Sequence, residues 1–408
     1  MSSSRAVRSG LTGVAGATVF SAVSGYLVLF VAARALGAER FDIFAVYWSA
    51  FFALTGIVGG LMHESTRAVH AGLAAPRADG ARPAVAATGI GALVAVVVLA
   101  SAPLWAERLV PEHTGLGVGL LAAAIASFTL QAALSGALSG DGRWGLYGTL
   151  LAIDAALRLA VALAATALGL PEVGLLVATV AGSITWILLV LLSPASRAAL
   201  RLRADVALRP FLARVGQAIV AASATAVLVV GFPVLLKATA VGEDARVLGG
   251  LILAVTLTRA PLLVPLTSFQ NAIVVHFAER RAAGVRALVP PVLAVLGVAV
   301  VGAGAAWLVG PPILAFMGEG FEMPGAQLAA LTLASGATAA LFLSGSAALA
   351  HERHGAYVLG WWAATIAAIA LLLLPLDLPT RTTVALMAGP LLGIGWHAVA
   401  IGRAERAR

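Results

Sequence analysis

The sequence of 408 residues contains no cysteine and little charge. The absence of cysteine excludes disulfides, thiolate catalysis and cysteine-based metal sites. Only 11% of the residues are charged, whereas a soluble domain carries about 25% charged residues. The chain therefore has too little polar surface for a water-exposed globule of this size. Lysine is also nearly missing, since Lys237 is the single lysine among 26 basic residues.

Hydrophobic residues make up 61% of the chain and recur in long runs from one end to the other. A bilayer-spanning helix needs about 20 consecutive apolar residues, which is the length of these runs. The connections between them are short, so no extramembrane domain is expected. We predict twelve transmembrane helices, over residues 11–33, 41–63, 84–104, 115–139, 148–169, 174–192, 211–236, 247–275, 288–309, 325–350, 356–375 and 382–402.

The basic residues between these helices predict the orientation of the chain. With the N-terminus in the cytoplasm, 17 basic residues lie in inner segments and 6 in outer loops, as the positive-inside rule requires. Arg5, Arg8, Arg406 and Arg408 belong to the inner set. We therefore expect a multi-pass protein of a bacterial plasma membrane with both termini cytoplasmic. The net charge of +8 then indicates contact with membrane lipids rather than binding to nucleic acid.

An internal repeat divides the chain into halves. The pattern R-x-G-x-Y occurs at Arg143–Tyr147 and at Arg353–Tyr357, an offset of 210 residues, and Leu36–Glu39 matches Val241–Asp244 at an offset of 205. We predict an all-α membrane fold of two parallel six-helix bundles, related by a pseudo-two-fold axis along the membrane normal. The expected divisions are an N-terminal bundle (1–196), a basic cytoplasmic linker (197–210) and a C-terminal bundle (211–408). Transporters with such repeats bind substrate between the halves.

Few ionisable residues fall inside the predicted helices, where each costs roughly 2.5–3.5 kcal/mol on insertion scales. Asp154 and Arg158 are four residues apart and share a helix face. At a rise of 1.5 Å per residue, Arg158 lies about 15 Å and Arg259 about 18 Å from their helix starts, near the midplane. Asp154 is the only carboxylate expected at that depth. Arg158 and Asp154 either form a purely structural pair or serve function.

The two deep arginines predict an anionic ligand, because a guanidinium offers a fork of donors that suits phosphate oxygens. Asp154 is the candidate for proton or sodium coupling. Pro233, Pro261 and Pro265 lie within predicted helices, where they form either static bends or hinges.

No nucleophile motif, phosphate loop or metal-ligand pair is visible, so we expect neither an enzyme nor a cofactor or metal. His63, His276 and His397 stand at predicted helix ends and are interpreted as interfacial.

Two segments resemble a known superfamily of transporters. The stretch Ala33–Phe41 (ARALGAERF) leads into an aromatic helix that ends in Gly59-Gly60-Leu61, and Arg67 follows. Together with Leu138–Tyr147, it resembles the multidrug/oligosaccharidyl-lipid/polysaccharide (MOP) exporter superfamily, in particular its Wzx-type polysaccharide flippases. The resemblance extends to helix number, orientation and duplication. One departure is Asp42, which stands where the family usually has glycine.

The resemblance implies a transporter that flips a polyprenyl-(di)phosphate-linked oligosaccharide, or a related cell-envelope precursor, from the inner to the outer leaflet by alternating access. An ion gradient or the membrane potential would supply the energy. Arg158 and Arg259 are then expected to bind substrate, with Arg34 and Arg67 at the outer and inner mouths of the cavity. The transporter is expected to be a monomer whose partners are the lipid-linked glycan, membrane lipids and H⁺ or Na⁺.

Two other functions stay open. A drug/cation antiporter of the multidrug and toxin extrusion (MATE) type belongs to the same superfamily, but it would need acidic cavity residues to hold its cation. A membrane-embedded glycosyltransferase or polymerase would need a sizeable outer loop with catalytic residues. The longest predicted outer loop, 310–324, contains only two charged residues, Glu319 and Glu322.

Overall fold

A computed structural model describes the backbone of residues 2–406 and the side chains of 12–267, 269–270 and 272–403. Within these ranges, eleven helical segments are long and apolar enough to cross a membrane. One of them, Thr12–Ala74, contains two of the predicted helices, because Gly37 (φ 64°, ψ 173°) interrupts the helical backbone. The eleven segments thus account for the twelve predicted helices, and the prediction of an all-α multi-pass membrane protein is confirmed. The side chains of Arg5, Arg8, Arg406 and Arg408 lie outside the described residues.

The chain folds into two compact units. Unit 1 consists of Met1–Leu36 and Val46–Ala226, and unit 2 consists of Gly37–Ala45 and Val227–Arg408. The sequence predicted units that are continuous in the chain. In the structure, the short stretch 37–45 belongs to unit 2, and the predicted linker together with the first part of the seventh helix belongs to unit 1.

Unit 1 is built around aromatic residues of the second half of its first helix. Tyr47 and Phe51 are buried, and the Tyr47 hydroxyl donates a hydrogen bond to the Gly117 carbonyl at 3.0 Å. Its helices are α1 (Ser2–Ala74, which passes through unit 2 at 37–45), α2 (Pro83–Ser101), α3 (Ala106–Leu109), α4 (Thr114–Gly140), α5 (Trp144–Ala167), α6 (Pro171–Ala181), α7 (Thr185–Leu192), α8 (Pro194–Ala199) and α9 (Leu208–Val229, to Ala226), with 3-10 turns at Ala102–Leu104 and Gly182–Ile184.

The predicted linker is a docked part of unit 1. Ala204 donates a backbone hydrogen bond to Ala81 at 2.7 Å, and Ala81 donates one to Val206 at 2.8 Å. Gly72 makes this approach possible, since a Cβ there would lie 2.4 Å from a linker carbonyl oxygen. The basic residues of 197–210 are therefore held on a fixed backbone.

Unit 2 consists of the 37–45 segment and the remaining helices. The backbone N–H of Ala38 donates to the Glu319 carbonyl at 3.1 Å, and the buried ring of Phe41 packs edge-on against Phe321 at 5.4 Å between centroids. The helices are α10 (Phe232–Thr239), α11 (Ala245–Ser268), α12 (Gln270–Glu279), α13 (Val289–Met317), α14 (Gly325–Ala350), α15 (His354–Leu372) and α16 (Leu378–Arg406), with a 3-10 segment at Arg281–Leu288.

The sequence repeat marks the same turn in both units. Arg143 and Arg353 are the N-cap residues of α5 and α15. The residue before each arginine has a positive φ, 70° at Gly142 and 61° at Glu352. A left-handed backbone costs a non-glycine residue roughly 1–2 kcal/mol, so the turn is kept in the second unit even where glycine is missing. The local backbone thus supports the duplication.

Close contact between the 37–45 segment and α11 depends on Gly249. A Cβ at this position would lie 2.2 Å from the Ala38 carbonyl oxygen, whereas a Cβ at the neighbouring Gly250 would meet nothing within 4 Å. We expect Gly249→Ala to lower the thermal unfolding midpoint of the protein in detergent. Gly250→Ala, the matched control, should leave it unchanged or raise it, because alanine favours a helix by about 1 kcal/mol over glycine. Equal midpoints would contradict this packing.

Candidate functional site

Arg158 is closely engaged within unit 1. Its residue is 4% exposed, and its Nε and Nη2 donate to Asp154 Oδ1 and Oδ2 at 2.7 and 3.2 Å. Nη1 donates to the Thr179 carbonyl. The guanidinium also lies 5.0 Å from the ring centroids of both Phe51 and Phe52. All three nitrogens of the guanidinium therefore donate to protein groups.

Asp154 accepts a third hydrogen bond, which comes from outside Arg158. Gln131 Nε2 donates to its Oδ2 at 2.8 Å, and Thr185 donates in turn to Gln131 Oε1 at 3.1 Å. Gly182 leaves the space, because a Cβ there would lie 2.4 Å from Asp154 Oδ1. These contacts favour the structural interpretation of the pair.

Arg259, on α11 of unit 2, has a different environment. It is 5% exposed, with Nη1 donating to the Val229 carbonyl at 3.1 Å and the guanidinium 4.8 Å from the Phe232 ring centroid. Among the described residues, its Nε and Nη2 have no hydrogen-bond partner. No carboxylate in the described part of the chain forms an ion pair with it. Arg259 is thus a buried cation with two free donors. Its predicted convergence with Arg158, which belongs to the other unit, stays a prediction.

The predicted hinge prolines differ in their effect on the helices. Pro233 lies in the first turn of α10, after a break that separates this helix from α9. The break frees the carbonyl of Val229 that Arg259 uses. Pro261 and Pro265 lie inside the continuous helix α11. A hinge role for the three prolines stays a proposal.

Arg34 and Arg67 are both exposed, but they have different surroundings. Arg34 lies 5.9 Å from the ring centroid of Phe30. Arg67 forms ion pairs with Glu64 at 2.6 Å and Asp205 at 3.1 Å, which ties α1 to the docked linker. Hydrogen bonds from Arg67 hold the pKa of Asp205 below its ordinary value.

A buried ion pair in unit 2 was missed by the sequence analysis. Asp42 is 1% exposed, and its Oδ2 accepts a hydrogen bond from Lys237 Nζ. The expectation that Asp154 is the only carboxylate near the membrane midplane stays a prediction. Lys237 lies on α10 rather than in an outer loop. Helix boundaries hid the pair, since both residues stand at the ends of predicted spans. Two signals could have found it: aspartate in the usual glycine position, and the single lysine.

His397, which was expected at the membrane interface, is packed between helices. The residue is fully buried, with Nδ1 2.9 Å from Ser344 Oγ and Nε2 3.2 Å from the Tyr357 carbonyl oxygen. Gly360 provides the room, because its missing Cβ would lie 2.2 Å from Nε2. The imidazole thus ties α16 to α14 and α15.

One group of side chains in unit 1 has the composition of a metal site. Ligand atoms of Glu112, His113 and Glu172 lie within 4.8 Å of one another. His113 and Glu172 are only partly buried and Glu112 is exposed, as is common for acidic groups that bind no ion. The prediction that the protein binds no metal stays a prediction.

Comparison of sequences finds close relatives in mycobacteria. No family model matches the chain. The chain is 46% identical over 398 residues to an uncharacterised protein of Mycobacterium bovis, covering 96% of this chain and 92% of the relative. It is 45% identical over 398 residues to the uncharacterised protein Rv3630 of Mycobacterium tuberculosis H37Rv, with the same coverage. Rv1510 of that strain, also uncharacterised, is 44% identical over 399 residues, covering 97% and 92%.

Comparison of structures finds transporters of the MOP superfamily. An inward-facing multidrug resistance MATE family transporter matches with a TM-score of 0.73 at 14% identity, over 95% of this chain and 96% of the other. An outward-facing one matches with 0.66 at 12% identity, over 98% and 97%. A MOP transporter from Pyrococcus furiosus, whose binding pocket of reverse polarity suggests a different function, also scores 0.66 at 12% identity, over 97% and 96%. At such identities the likeness shows the fold, and the predicted two-bundle topology matches it.

The lowered pKa of Asp205 gives a pH-dependent prediction. A carboxylate with a lowered pKa stabilises the fold above the ordinary aspartate pKa of about 3.9, and this stabilisation is lost as the pH falls below that value. Asp205→Asn should therefore lower the thermal unfolding midpoint at pH 7, with a difference from wild type that shrinks toward pH 3.5. Asp79→Asn is the matched control, since Asp79 pairs with Arg77 on the surface, and it should change little. A difference that is the same at both pH values would contradict the assignment.

Proposed function

The chain belongs to the protein family that includes Rv3630 and Rv1510 of Mycobacterium tuberculosis, and we propose that it is a transporter of an anionic lipid-linked saccharide. The proposed substrate is a polyprenyl-(di)phosphate-linked oligosaccharide or a related cell-envelope precursor, flipped from the inner to the outer leaflet by alternating access. The fold shared with MOP transporters supports transport. The buried charge of Arg259 favours an anionic substrate.

Arg259 is the exception among the buried and half-buried cations of the described residues. Each of the others has a carboxylate within ion-pair distance. These paired cations are Arg143, Arg158, Lys237, Arg281 and Arg381. The positive charge left without a protein counter-charge in the interior is therefore that of Arg259.

An uncompensated guanidinium in a membrane protein needs either water or an anionic partner. Nε and Nη2 of Arg259 are the free donors, and a guanidinium presents such donors in a fixed plane that matches phosphate oxygens. A diphosphate headgroup would satisfy both donors and the charge together. This is the observation that carries the proposal.

A drug/cation antiporter of the MATE type is the second candidate, because multidrug transporters are among the structures that share the fold. A cationic drug would need a free carboxylate. Asp154 is paired with Arg158 and Asp42 with Lys237, which makes both carboxylates poor ligands for a cationic drug. The Pyrococcus furiosus transporter with a pocket of reverse polarity agrees with a fold that is used for more than one kind of substrate.

Replacement of Arg259 tests the anionic substrate. Losing one or two charge-assisted hydrogen bonds, each worth about 1.5–3 kcal/mol, should slow flipping by Arg259→Ala roughly 10- to 100-fold or more. Arg259→Lys should recover little, because an ammonium lacks the planar fork. The measurement uses proteoliposomes with a fluorescent polyprenyl-diphosphate oligosaccharide, whose outer-leaflet fraction is quenched by an impermeant reductant.

Arg246→Ala is the matched control for this experiment. Arg246 lies on the same helix but forms an exposed pair with Glu39, and such pairs contribute little. Full flipping activity of Arg259→Ala would remove the support for an anionic substrate. Efflux of an organic cation by the same vesicles, with no flipping of the lipid, would favour the antiporter.

The proposal keeps Asp154 as the residue through which an ion gradient acts on unit 1. Uptake of a proton or sodium ion by Asp154 would weaken its bonds to Arg158 and Gln131. Asparagine has nearly the same shape as aspartate but no charge and a single acceptor oxygen, so we expect Asp154→Asn to lose the dependence of flipping on an imposed pH or sodium gradient. Ser127→Ala, which removes a hydroxyl that accepts from Trp186 in the same unit, is the control. Unchanged gradient dependence in Asp154→Asn would exclude the coupling role.

A further inference from the structure

The two buried arginines of the described residues are held by the same kinds of contact. In unit 1, Nη1 of Arg158 donates to the backbone carbonyl of Thr179, and the guanidinium lies 5.0 Å from the ring centroids of two phenylalanines. In unit 2, Nη1 of Arg259 donates to the backbone carbonyl of Val229 at 3.1 Å, and the guanidinium lies 4.8 Å from the ring centroid of Phe232. Each guanidinium thus has a carbonyl oxygen at Nη1 and an aromatic ring beside it.

The two arginines differ at the remaining edge of the guanidinium, where the N–H groups of Nε and Nη2 run parallel. For Arg158 this edge donates to the two oxygens of one carboxylate, that of Asp154, at 2.7 and 3.2 Å. For Arg259 both nitrogens are buried and have no hydrogen-bond partner among the described residues. The occupied edge shows which chemical group fits: two oxygens bonded to the same atom, as in a carboxylate or a phosphate.

Pro233 leaves a backbone carbonyl free to hold Arg259. In an uninterrupted α-helix the Val229 carbonyl would accept a hydrogen bond from the N–H of residue 233, four positions further along. Proline has no N–H, and its ring clashes with the carbonyl four residues before it. The helix α9 accordingly ends at Val229, and α10 begins at Phe232. The Val229 oxygen is therefore available to Nη1 of Arg259.

We propose that Pro233 is a positioning residue for Arg259, whose Nε–Nη2 edge binds two oxygens of one phosphate group of the substrate. This inference rests on the proposed transport of a phosphate-bearing lipid. The Val229 carbonyl holds Nη1 and the Phe232 ring lies beside the guanidinium, so the free edge has one fixed direction. The phosphate then occupies the place that a protein carboxylate has in unit 1.

The direction of the guanidinium matters because it binds through directed N–H groups as well as through charge. A guanidinium that is free to rotate must be immobilised when the ligand binds, and this loss of freedom lowers the affinity. A guanidinium that is already held at Nη1 presents both free donors together. Pro233 therefore affects the affinity without touching the ligand, and it does so only while an arginine stands at position 259.

Equilibrium binding of radiolabelled farnesyl diphosphate to the full-length protein in detergent tests the proposal. Pro233→Ala supplies the missing N–H, which competes with Arg259 for the Val229 carbonyl. We expect the Kd of this variant to rise about tenfold, which corresponds to about 1.4 kcal/mol. Pro312→Ala is the matched control, because Pro312 is an exposed proline inside α13 of the same unit, and it should leave the Kd unchanged.

A double-mutant cycle separates positioning from a general effect on the fold. Arg259→Met keeps an unbranched side chain but has no donor, so it should weaken binding at least as much as Pro233→Ala. Adding Pro233→Ala to Arg259→Met should then cause no further loss, because the effects of residues that act through one another are not additive. A loss of the same size in both backgrounds would contradict the positioning role.

Phe232→Leu provides a second variant should Pro233→Ala fail to fold. It removes the ring beside the guanidinium but keeps an apolar side chain of similar size. We expect its Kd to rise about threefold or more, from the loss of a buried cation–π contact. This rise should also be absent when Arg259 is replaced by methionine, and its persistence there would contradict the proposal.

A carboxylate of the saccharide would fit the same edge, so two competitors decide which group binds. Farnesyl phosphate carries the oxyanion on the lipid, whereas octyl glucuronide carries it on the sugar. We expect farnesyl phosphate to displace the labelled ligand from the wild type and to do so much less from Arg259→Met. Displacement by octyl glucuronide alone would overturn the assignment to phosphate.

The outcomes also separate this inference from the proposed function. If Arg259→Met weakens binding and neither Pro233→Ala nor Phe232→Leu does, the positioning role is wrong and the anionic substrate stands. If Arg259→Met binds farnesyl diphosphate as tightly as the wild type, the anionic substrate itself is wrong, and the positioning role fails with it.

Discussion

Every charge inside this protein must be compensated there, because the apolar helices and the surrounding lipid offer no water to solvate it. The structure meets this requirement with few residues. Arg158 has Asp154, and Lys237 has Asp42. The same requirement singles out the buried polar groups whose hydrogen bonds are incomplete. Among the described residues, Arg259 has two buried donors without hydrogen-bond partners, and Asp42 has one such carboxylate oxygen. An anion could therefore satisfy Arg259, whereas the donors of Arg158 are already engaged.

The helices pack through small residues, and the hydrophobic effect contributes little to their association in a membrane. Lipid tails are as apolar as leucine, so helices in membranes associate through close approach of their backbones. Gly60, Gly136 and Gly140 show this in unit 1, where an added Cβ would lie 2.5–2.7 Å from backbone atoms of a neighbouring helix. The 44 glycines of the chain are thus partly a packing requirement. Gly182 and Gly360 have a second use, since each makes room for a buried polar side chain.

Each unit is completed by a piece of chain from the other half of the sequence. Unit 2 includes 37–45, and unit 1 includes the chain up to Ala226. Gly37 allows 37–45 to join unit 2, because its positive φ changes the direction of the chain where this segment begins. A structural change within either unit therefore involves residues that are far away in sequence.

The sequence by itself determined the membrane class, the number of helices, the duplication and the presence of a charged pair at Asp154 and Arg158. These features depend on apolar length, on repeated turns and on a spacing of four residues, which are all local. It also pointed to Arg259 as a deep cation without an acidic neighbour on its own helix.

Only the tertiary structure decided which charges are compensated. The partner of Asp42 is 195 residues away, and the burial of His397 depends on a missing Cβ at Gly360 on another helix. Such contacts depend on how the helices pack, and the residue pattern of one helix does not specify which residues of other helices lie against it. For the same reason the sequence could not assign 37–45 and the predicted linker to their units, because that assignment follows from backbone contacts between distant segments.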